Sequence, residues 1–303
     1  IINEVKKGKI MNKTKKTFIT FALLILGISQ IFASGFDLRR LTFDSPSNTF
    51  SLSPLTDGII FGTEAALIST DFLLEKVILE PTPYQGEIYL KSDVNPVDRF
   101  FMQPYSKTFD TAGTITQFAS LLTPAVLMAA PMEEWCTIGV MYAESVFLSY
   151  GLKELAKNLV NRPRPYMYFE GAPEKDIAEG DWNKSFFSGH TTLSFTGATF
   201  TSYVFSKYFP DSKWKLPVII GSYGLATTTA ILRMKSGNHF LTDVLVGAAV
   251  GTLSGFLVPY LHSFSDAPVS NNNSTLTTKS YGVSESGFDF AILPNGIYCR
   301  YSF

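Results

Sequence analysis

The sequence predicts an all-α protein: a helical bundle embedded in a membrane, with a small β-hairpin at its C-terminal end. Three observations carry this. Five apolar helical segments, roughly Thr114–Ala130, Thr137–Leu155, Thr191–Tyr208, Leu216–Leu232 and Phe240–Leu261, are each about long enough to cross a bilayer with some tilt. Several are rich in Thr, Ser, Gly and Ala, which suits close helix packing. Hydrophobic residues make up 46% of the chain, with 26 Phe, yet mean hydropathy is only +0.14. That value is apolar for a soluble protein and modest for a polytopic one, so a soluble bundle is the competing picture.

In chain order, residues 1–33 read as an export signal. Met11 is a natural start, with residues 1–10 as an upstream extension. Lys13, Lys15 and Lys16 form a basic region, Phe18–Ile28 a short apolar one, and Ile31-Phe32-Ala33 offers a cleavage site; an uncleaved anchor is the alternative. Residues 34–97 read as an exported N-terminal region, polar and turn-rich as far as Asp57. Within it Leu55–Val77 is helical in pattern but carries Asp57, Glu64, Asp71, Glu75 and Lys76. Such a load argues against a lipid-facing span and for an amphipathic helix packed on the body or lying at the interface. A proline-rich loop follows, and its Asp98-Arg99 reads as a cap or anchor for the next helix or as a solvated loop pair, ahead of any catalytic role.

The bundle proper occupies residues 98–263, and 264–303 form a linker and tail. Asn271, Asn272 and Asn273 mark the linker, and two aromatic-rich runs flank Pro294-Asn295-Gly296, the pattern of a hairpin with an Asn-Gly turn. One hairpin cannot make a barrel. A formal net charge of -1 gives no electrostatic case for nucleic acid. Cys136 and Cys299 lie far apart without metal or redox spacing, and Cys136, in an apolar helix, is expected as a buried thiol. Glu144, inside the second segment, is expected as a paired interior carboxylate, and His262 as a helix-end cap.

Three polar clusters between the apolar segments carry the chemistry. They are Lys157 to Pro165 (Lys-Asn-Leu-Val-Asn-Arg-Pro-Arg-Pro), Phe187-Ser188-Gly189-His190, and Arg233 to Asp243 with His239 between. Cations and backbone N–H groups suit a phosphate, one imidazole suits attack on it, and the other suits protonation of the leaving oxygen. His239 and Asp243 share one helix face, so the carboxylate can accept from one ring nitrogen and leave the other free. Ser188 stands where it can cap the helix that follows, whose free N–H groups favour an anion. Gly189 permits close approach of the backbone to a ligand. Lys157 closes a helix that must stop before Pro163, and Arg164 then offers a planar, two-pronged donor. Lys153 and Lys235 read equally as solvated or phosphate-steering, and Arg162 as a second phosphate contact behind Arg164.

At these residues the chain resembles the type 2 phosphatidic acid phosphatase and vanadium haloperoxidase superfamily. Its pattern is Lys-x6-Arg-Pro, Pro-Ser-Gly-His and Ser-Arg-x5-His-x3-Asp. Lys157, Arg164 and Pro165 match the first part, Ser188, Gly189 and His190 the second, and Arg233, His239 and Asp243 the third. Phe187 and Leu232 stand where the family usually has Pro and Ser. The resemblance spans roughly residues 98 to 262 and implies a helical bundle of the phosphatase/haloperoxidase type. It implies His239 as the nucleophile forming a phosphohistidine, Asp243 as its orienting group and His190 as the general acid. Lys157, Arg164, Ser188, Gly189 and Arg233 would hold the phosphate. It implies no metal and no cofactor, vanadate as an inhibitor, and hydrolysis of phosphate mono- or diphosphate esters, foremost those of lipids. Its partners are then a phosphorylated lipid or small phosphoester and membrane lipid.

An alternating path through the five segments puts all three clusters at one end. The loop at the other end carries Lys207, Lys213 and Lys215, which by the positive-inside tendency is cytoplasmic. The expected location is a bacterial inner membrane, with the clusters facing the periplasm. A soluble periplasmic acid phosphatase and a vanadate-dependent haloperoxidase are the alternatives. A serine hydrolase built on Ser188 lacks the Gly-x-Ser-x-Gly elbow.

Overall fold

A computed structural model describes residues 49–78, 83–87, 89–263, 287–293 and 296–302; for the last two ranges, and for residues 77–78, it describes the backbone alone. The expected export signal, the linker and the Pro294-Asn295 turn lie outside the described residues. The chain divides into two units, Ile1–Ala267 and Pro268–Phe303.

The first unit is helical. Its helices are α1 (Pro54–Leu73, continued by a wider turn over Leu74–Ile78), α2 (Pro96–Phe101), α3 (Lys107–Leu121, extended by a 3₁₀ stretch Thr123–Ala129), α4 (Trp135–Val160), α5 (Glu174–Glu179), α6 (Gly189–Tyr208), α7 (Lys215–Lys235) and α8 (Leu241–His262). In the second unit, strands β1 (Gly287–Leu293) and β2 (Gly296–Ser302) pair antiparallel from Gly287↔Ser302 to Leu293↔Gly296.

Helix α6 is central, packed on α8, α7, α3 and α4. Its interior is made of small polar residues: Thr192, Ser194, Thr196 and Thr201 are all fully buried. Each threonine hydroxyl here returns a hydrogen bond to the carbonyl four residues back, so none is left bare. Small side chains bring backbones together. Gly247 and Gly255 of α8 lie so close to α6 that an added Cβ would sit 2.7 Å from the Ser188 carbonyl and 2.5 Å from the Thr196 carbonyl; at Gly251 it would clash with the Thr192 carbonyl. The outside is apolar: Ile115, Phe118, Ile220, Ile231, Leu245 and Leu253 are all exposed. An apolar exterior over a small, polar interior is the arrangement a bilayer favours.

Three stretches, Lys107–Ala129, Lys215–Lys235 and Leu241–His262, are long and apolar enough to cross a membrane, against five expected. The other two expected segments fall short for a physical reason. Helix α4 carries Glu144, Lys153, Glu154 and Lys157, and α6 its Thr/Ser run, and these residues face protein.

Helix α1 packs on α4, as expected, but the other way out. Leu55, Ile59, Phe61 and Phe72 face outward, while Glu64 is buried and Asp71 accepts from Asn158 Nδ2 at 2.5 Å. Asp57, Glu64 and Asp71 are turned toward α4, so these three no longer argue against contact with lipid, while Glu75 and Lys76 at the far end are exposed. Leu67 meets Gly151, Asp71 meets Asn158 and Asp57 lies beside Glu144, so α1 runs parallel to α4. The chain enters this bundle at the end of α8, where Ser51 N–H donates to the His262 carbonyl at 3.1 Å. Cys136 corrects another expectation: it is an exposed free thiol. The buried face of α4 runs through Thr137, Met141, Glu144 and Ser145, and Cys136 projects away from it.

Candidate active site

Each cluster sits at a helix end, for a local reason. Helix α4 stops at Val160; Asn161 turns left-handed at φ 47°, and the two prolines that follow forbid continuation. Lys157 therefore lies in the last turn of α4, with Arg164 just beyond it. Ser188 caps α6, its hydroxyl accepting from Thr191 N–H. Arg233 ends α7. The link to α8 turns at Gly237, φ 73°, where a Cβ would sit 2.6 Å from the Gln103 carbonyl. Asp243 occupies the first turn of α8 and accepts from Phe240 N–H at 2.9 Å.

The three clusters are tied together. Ser188 N–H donates to the Asp243 carbonyl at 3.1 Å, Ser185 Oγ to Asp243 Oδ2 at 2.5 Å, and Arg164 Nη1 to Asn238 Oδ1 at 2.9 Å. His190, His239, Lys157, Arg164 and Arg233 share one electrostatic neighbourhood.

His239 is buried, and its Nδ1 lies 2.8 Å from the Ser185 carbonyl. A carbonyl only accepts, so Nδ1 carries the proton and Nε2 keeps its lone pair. Asp243 does not hold this ring directly. Its nearer oxygen is 4.0 Å from Nδ1; it holds the Ser185 hydroxyl and the turn instead. The ring is thus oriented by a backbone carbonyl whose own residue Asp243 fixes. His190 Nε2 lies 3.2 Å from Thr114 Oγ1. Burial, then the nearby cations, push both rings well below the ordinary imidazole range: Arg233 and Lys157 for His190, Arg164 and Arg233 for His239. Both imidazoles are therefore neutral near pH 7.

The cations are held by carboxylates. Arg164 donates to Asp181 through Nη2 at 2.5 Å and through Nε to that residue's carbonyl at 2.8 Å. Arg233 pairs with Asp110, while its buried Nε has no hydrogen-bond partner. Lys157 forms no ion pair among the described residues. Gly189 makes room differently from the expectation: a Cβ there would lie 2.7 Å from Lys153 Cδ, so the space is filled by the Lys153 stem. The Lys153 ammonium pairs with Glu154 and rests 3.9 Å from the Tyr150 ring centroid, while Lys235 is exposed.

Two readings need correction. Asp98 is not a solvated loop residue but fully buried, accepting from Arg162 Nη2 at 2.7 Å, Thr242 N–H at 2.9 Å and Thr242 Oγ1 at 2.7 Å. Burial pushes its carboxyl up, but Arg162 and Thr242 outweigh this and leave it below the usual range. Arg162 is not a phosphate contact; Nη1 and Nη2 are spent on Asp243, Thr242 and Asp98, and its guanidinium lies 3.9 Å from the Phe240 ring centroid. Together they brace the first turn of α8 from below. Ser185, Asn238, Asp110 and Asp181 are further residues of the site that the motif spacing does not announce.

Residues 138–266 match the family model of the PAP2 superfamily. Among curated proteins, the chain is 33% identical over 154 residues to the lipid A 1-phosphatase of Porphyromonas gingivalis, covering 51% of this chain and 30% of that protein. It is 28% identical over 169 residues to lipid phosphate phosphatase 1 of Arabidopsis thaliana, covering 46% of this chain and 50% of that one. The matched regions thus span half or less of the curated relatives. Among solved structures, a transmembrane PAP2 type phosphatidylglycerolphosphate phosphatase from Bacillus subtilis aligns over 67% of this chain and 94% of its own, at 20% identity and a TM-score of 0.40. Aquifex aeolicus LpxE aligns over 56% and 98%, at 21% and 0.38. On the family model and the three clusters it encloses, residues 138–266 are similar to the PAP2 superfamily.

Proposed function

We propose that the protein is a membrane phosphatase that hydrolyses lipid phosphate or diphosphate esters through a phosphohistidine on His239, without a metal in the reaction. The observation that carries this is the tautomer of His239: with Nδ1–H given to the Ser185 carbonyl, a bare Nε2 stands in the field of Arg164, Arg233 and Lys157. Those cations and the Gly189 N–H at the start of α6 would draw a phosphate to that nitrogen and stabilise charge as it develops. His239 Nε2 forms the N–P bond as the ester P–O bond breaks. His190 gives its proton to the departing oxygen; water, deprotonated by His190, then cleaves the N–P bond. His190 is neutral in the free site, so a bound phosphate dianion must first raise its affinity for a proton, which couples general-acid readiness to substrate binding.

The names of the curated relatives support lipid phosphates as the substrate class. The apolar exterior supports a bilayer, from which a lipid would enter sideways with its head group at the level of Arg164 and His239. We place the site on the outer, periplasmic face of a bacterial inner membrane, because the Lys207–Lys215 loop lies at the opposite end. That end also receives the chain at Ser51.

The test is chemical. Brief reaction with labelled lipid phosphate and a denaturing quench should trap an acid-labile phosphoenzyme, absent from His239→Ala, and initial rates should survive EDTA and fall with vanadate. No trapped intermediate, or activity lost to EDTA and restored by magnesium, rejects the mechanism.

A further inference from the structure

At the other end of the bundle two buried groups and one half-buried one converge, and the phosphatase reaction uses none of them. Asp57 of α1, Glu144 of α4 and His262 of α8 present ligand atoms that all lie within 4.8 Å of one another. His262 Nε2 is 2.7 Å from Asp57 Oδ1 and 3.4 Å from Glu144 Oε2. His262 is fully buried, and Glu144 is 7% exposed with Oε2 lacking any hydrogen bond. This cluster is about 30 Å along α8 from Asp243.

The tautomer of His262 points to what belongs there. Its Nδ1 lies 2.8 Å from the Val258 carbonyl, which only accepts, so the proton is on Nδ1. The neutral ring then directs the Nε2 lone pair at two carboxylate oxygens, and three acceptors face one another with a positive charge required between them. A proton is one candidate. It would neutralise one of the two carboxylates and leave the cluster at net charge -1, a costly state for groups this far from water. A dication neutralises both carboxylates and uses all three donor atoms.

The geometry agrees. Bonds of about 2.0–2.1 Å in a tetrahedral shell place ligand atoms about 3.3 Å apart, which the 3.4 Å between His262 Nε2 and Glu144 Oε2 matches and the 2.7 Å to Asp57 Oδ1 would reach by a small opening. A metal-bound imidazole characteristically gives its other N–H to a carbonyl, as His262 does. The Asp57 side chain is 25% exposed, which leaves an entry path and room for a water in the fourth position. Glu64, buried further along α1, adds its field to that of Glu144.

We propose that Asp57, Glu144 and His262 bind a divalent transition-metal ion of the zinc or manganese class. Mixed imidazole and carboxylate donors suit those ions. The ion joins α1 to α4 and α8 and has no part in the chemistry at His239. This goes beyond the phosphatase reading and is tested separately from it.

The full chain, purified in detergent through a tag without histidines and desalted, should retain about one equivalent of metal by mass spectrometry. Asp57→Asn and Glu144→Gln should each retain less than about a tenth of that. EDTA should lower the wild-type melting temperature by about 5 °C, zinc or manganese should restore it, and neither should move the melting of Glu144→Gln. Initial phosphatase rates at 25 °C should be unchanged by the chelator. A wild-type chain with less than about a tenth of an equivalent and no thermal response to either ion overturns the proposal, as do variants that keep the metal.

Discussion

His239 stands just before the first turn of α8, and His262 closes its last. Both rings are buried, and both lie with Nδ1 against a backbone carbonyl, that of Ser185 or Val258. Their tautomers are therefore the same, and what separates them is charge. His239 lies among Arg164, Arg233 and Lys157, at the positive end of the helix dipole; His262 lies against Asp57 and Glu144, at the negative end. An imidazole lone pair in a cationic pocket is offered to an anion's phosphorus. The same lone pair in an anionic pocket is offered to a cation. The surroundings, set by which helix ends meet there, decide which chemistry the ring supports.

The sharpest way to break the comparison is to disable each end in turn. His239→Ala should lower turnover by about 10⁴-fold or more, while Asp57→Asn leaves the initial rate within about twofold. Steady-state assays on detergent-solubilised protein check this, and equal losses would mean that the ends are not independent.

His190→Gln should cost about 10²–10⁴-fold, and least for esters with acidic leaving groups. A loss uniform across a leaving-group series would remove His190 from the role of acid.

Bracing of the first turn of α8 should show in an intermediate effect. Asp98→Asn leaves Arg162 without one of its two carboxylates, and we expect kcat to fall about tenfold with KM nearly unchanged. A change confined to KM would instead make Asp98 a binding group.

The smallest effect is on stability. His190 and His239 have folded-state pKa values below their unfolded value of about 6.5, so the unfolded chain binds more protons between the two. Stability from these groups is present above pH 6.5 and declines as pH falls below it. Thermal melts from pH 8 to 5 should show this decline, and vanadate, an anion that favours a protonated His190, should reduce it.

The fold and much of the site were legible in the sequence because helix ends are local events. The helix stop before Pro163, Ser188 at a cap and His239 four residues before Asp243 announce themselves by spacing alone. Asp98 does not, because its partners Arg162 and Thr242 lie far along the chain and a loop aspartate has no periodicity to show. Ser185 orients His239 through a carbonyl, which any residue type supplies, and its hydroxyl meets Asp243 only across 58 positions of chain, so its place in the sequence carries no signal. The outward apolar face of α1 was not legible, because a count of charges cannot tell which way they point. The pairing of Glu144 with His262 follows only from α4 and α8 lying side by side.

His190 and Asp243 ride on α6 and α8, and these two helices meet through Gly247, Gly251 and Gly255 with main chain against main chain. No bulky side chain separates them whose rotamer or volume could vary. The gauge between the acid and the turn that carries the nucleophile is thus written in polypeptide rather than in packing. On the phosphatase reading, the exposed apolar side chains of α3 and α7 can therefore vary in size and shape while the spacing between His190 and His239 remains the same.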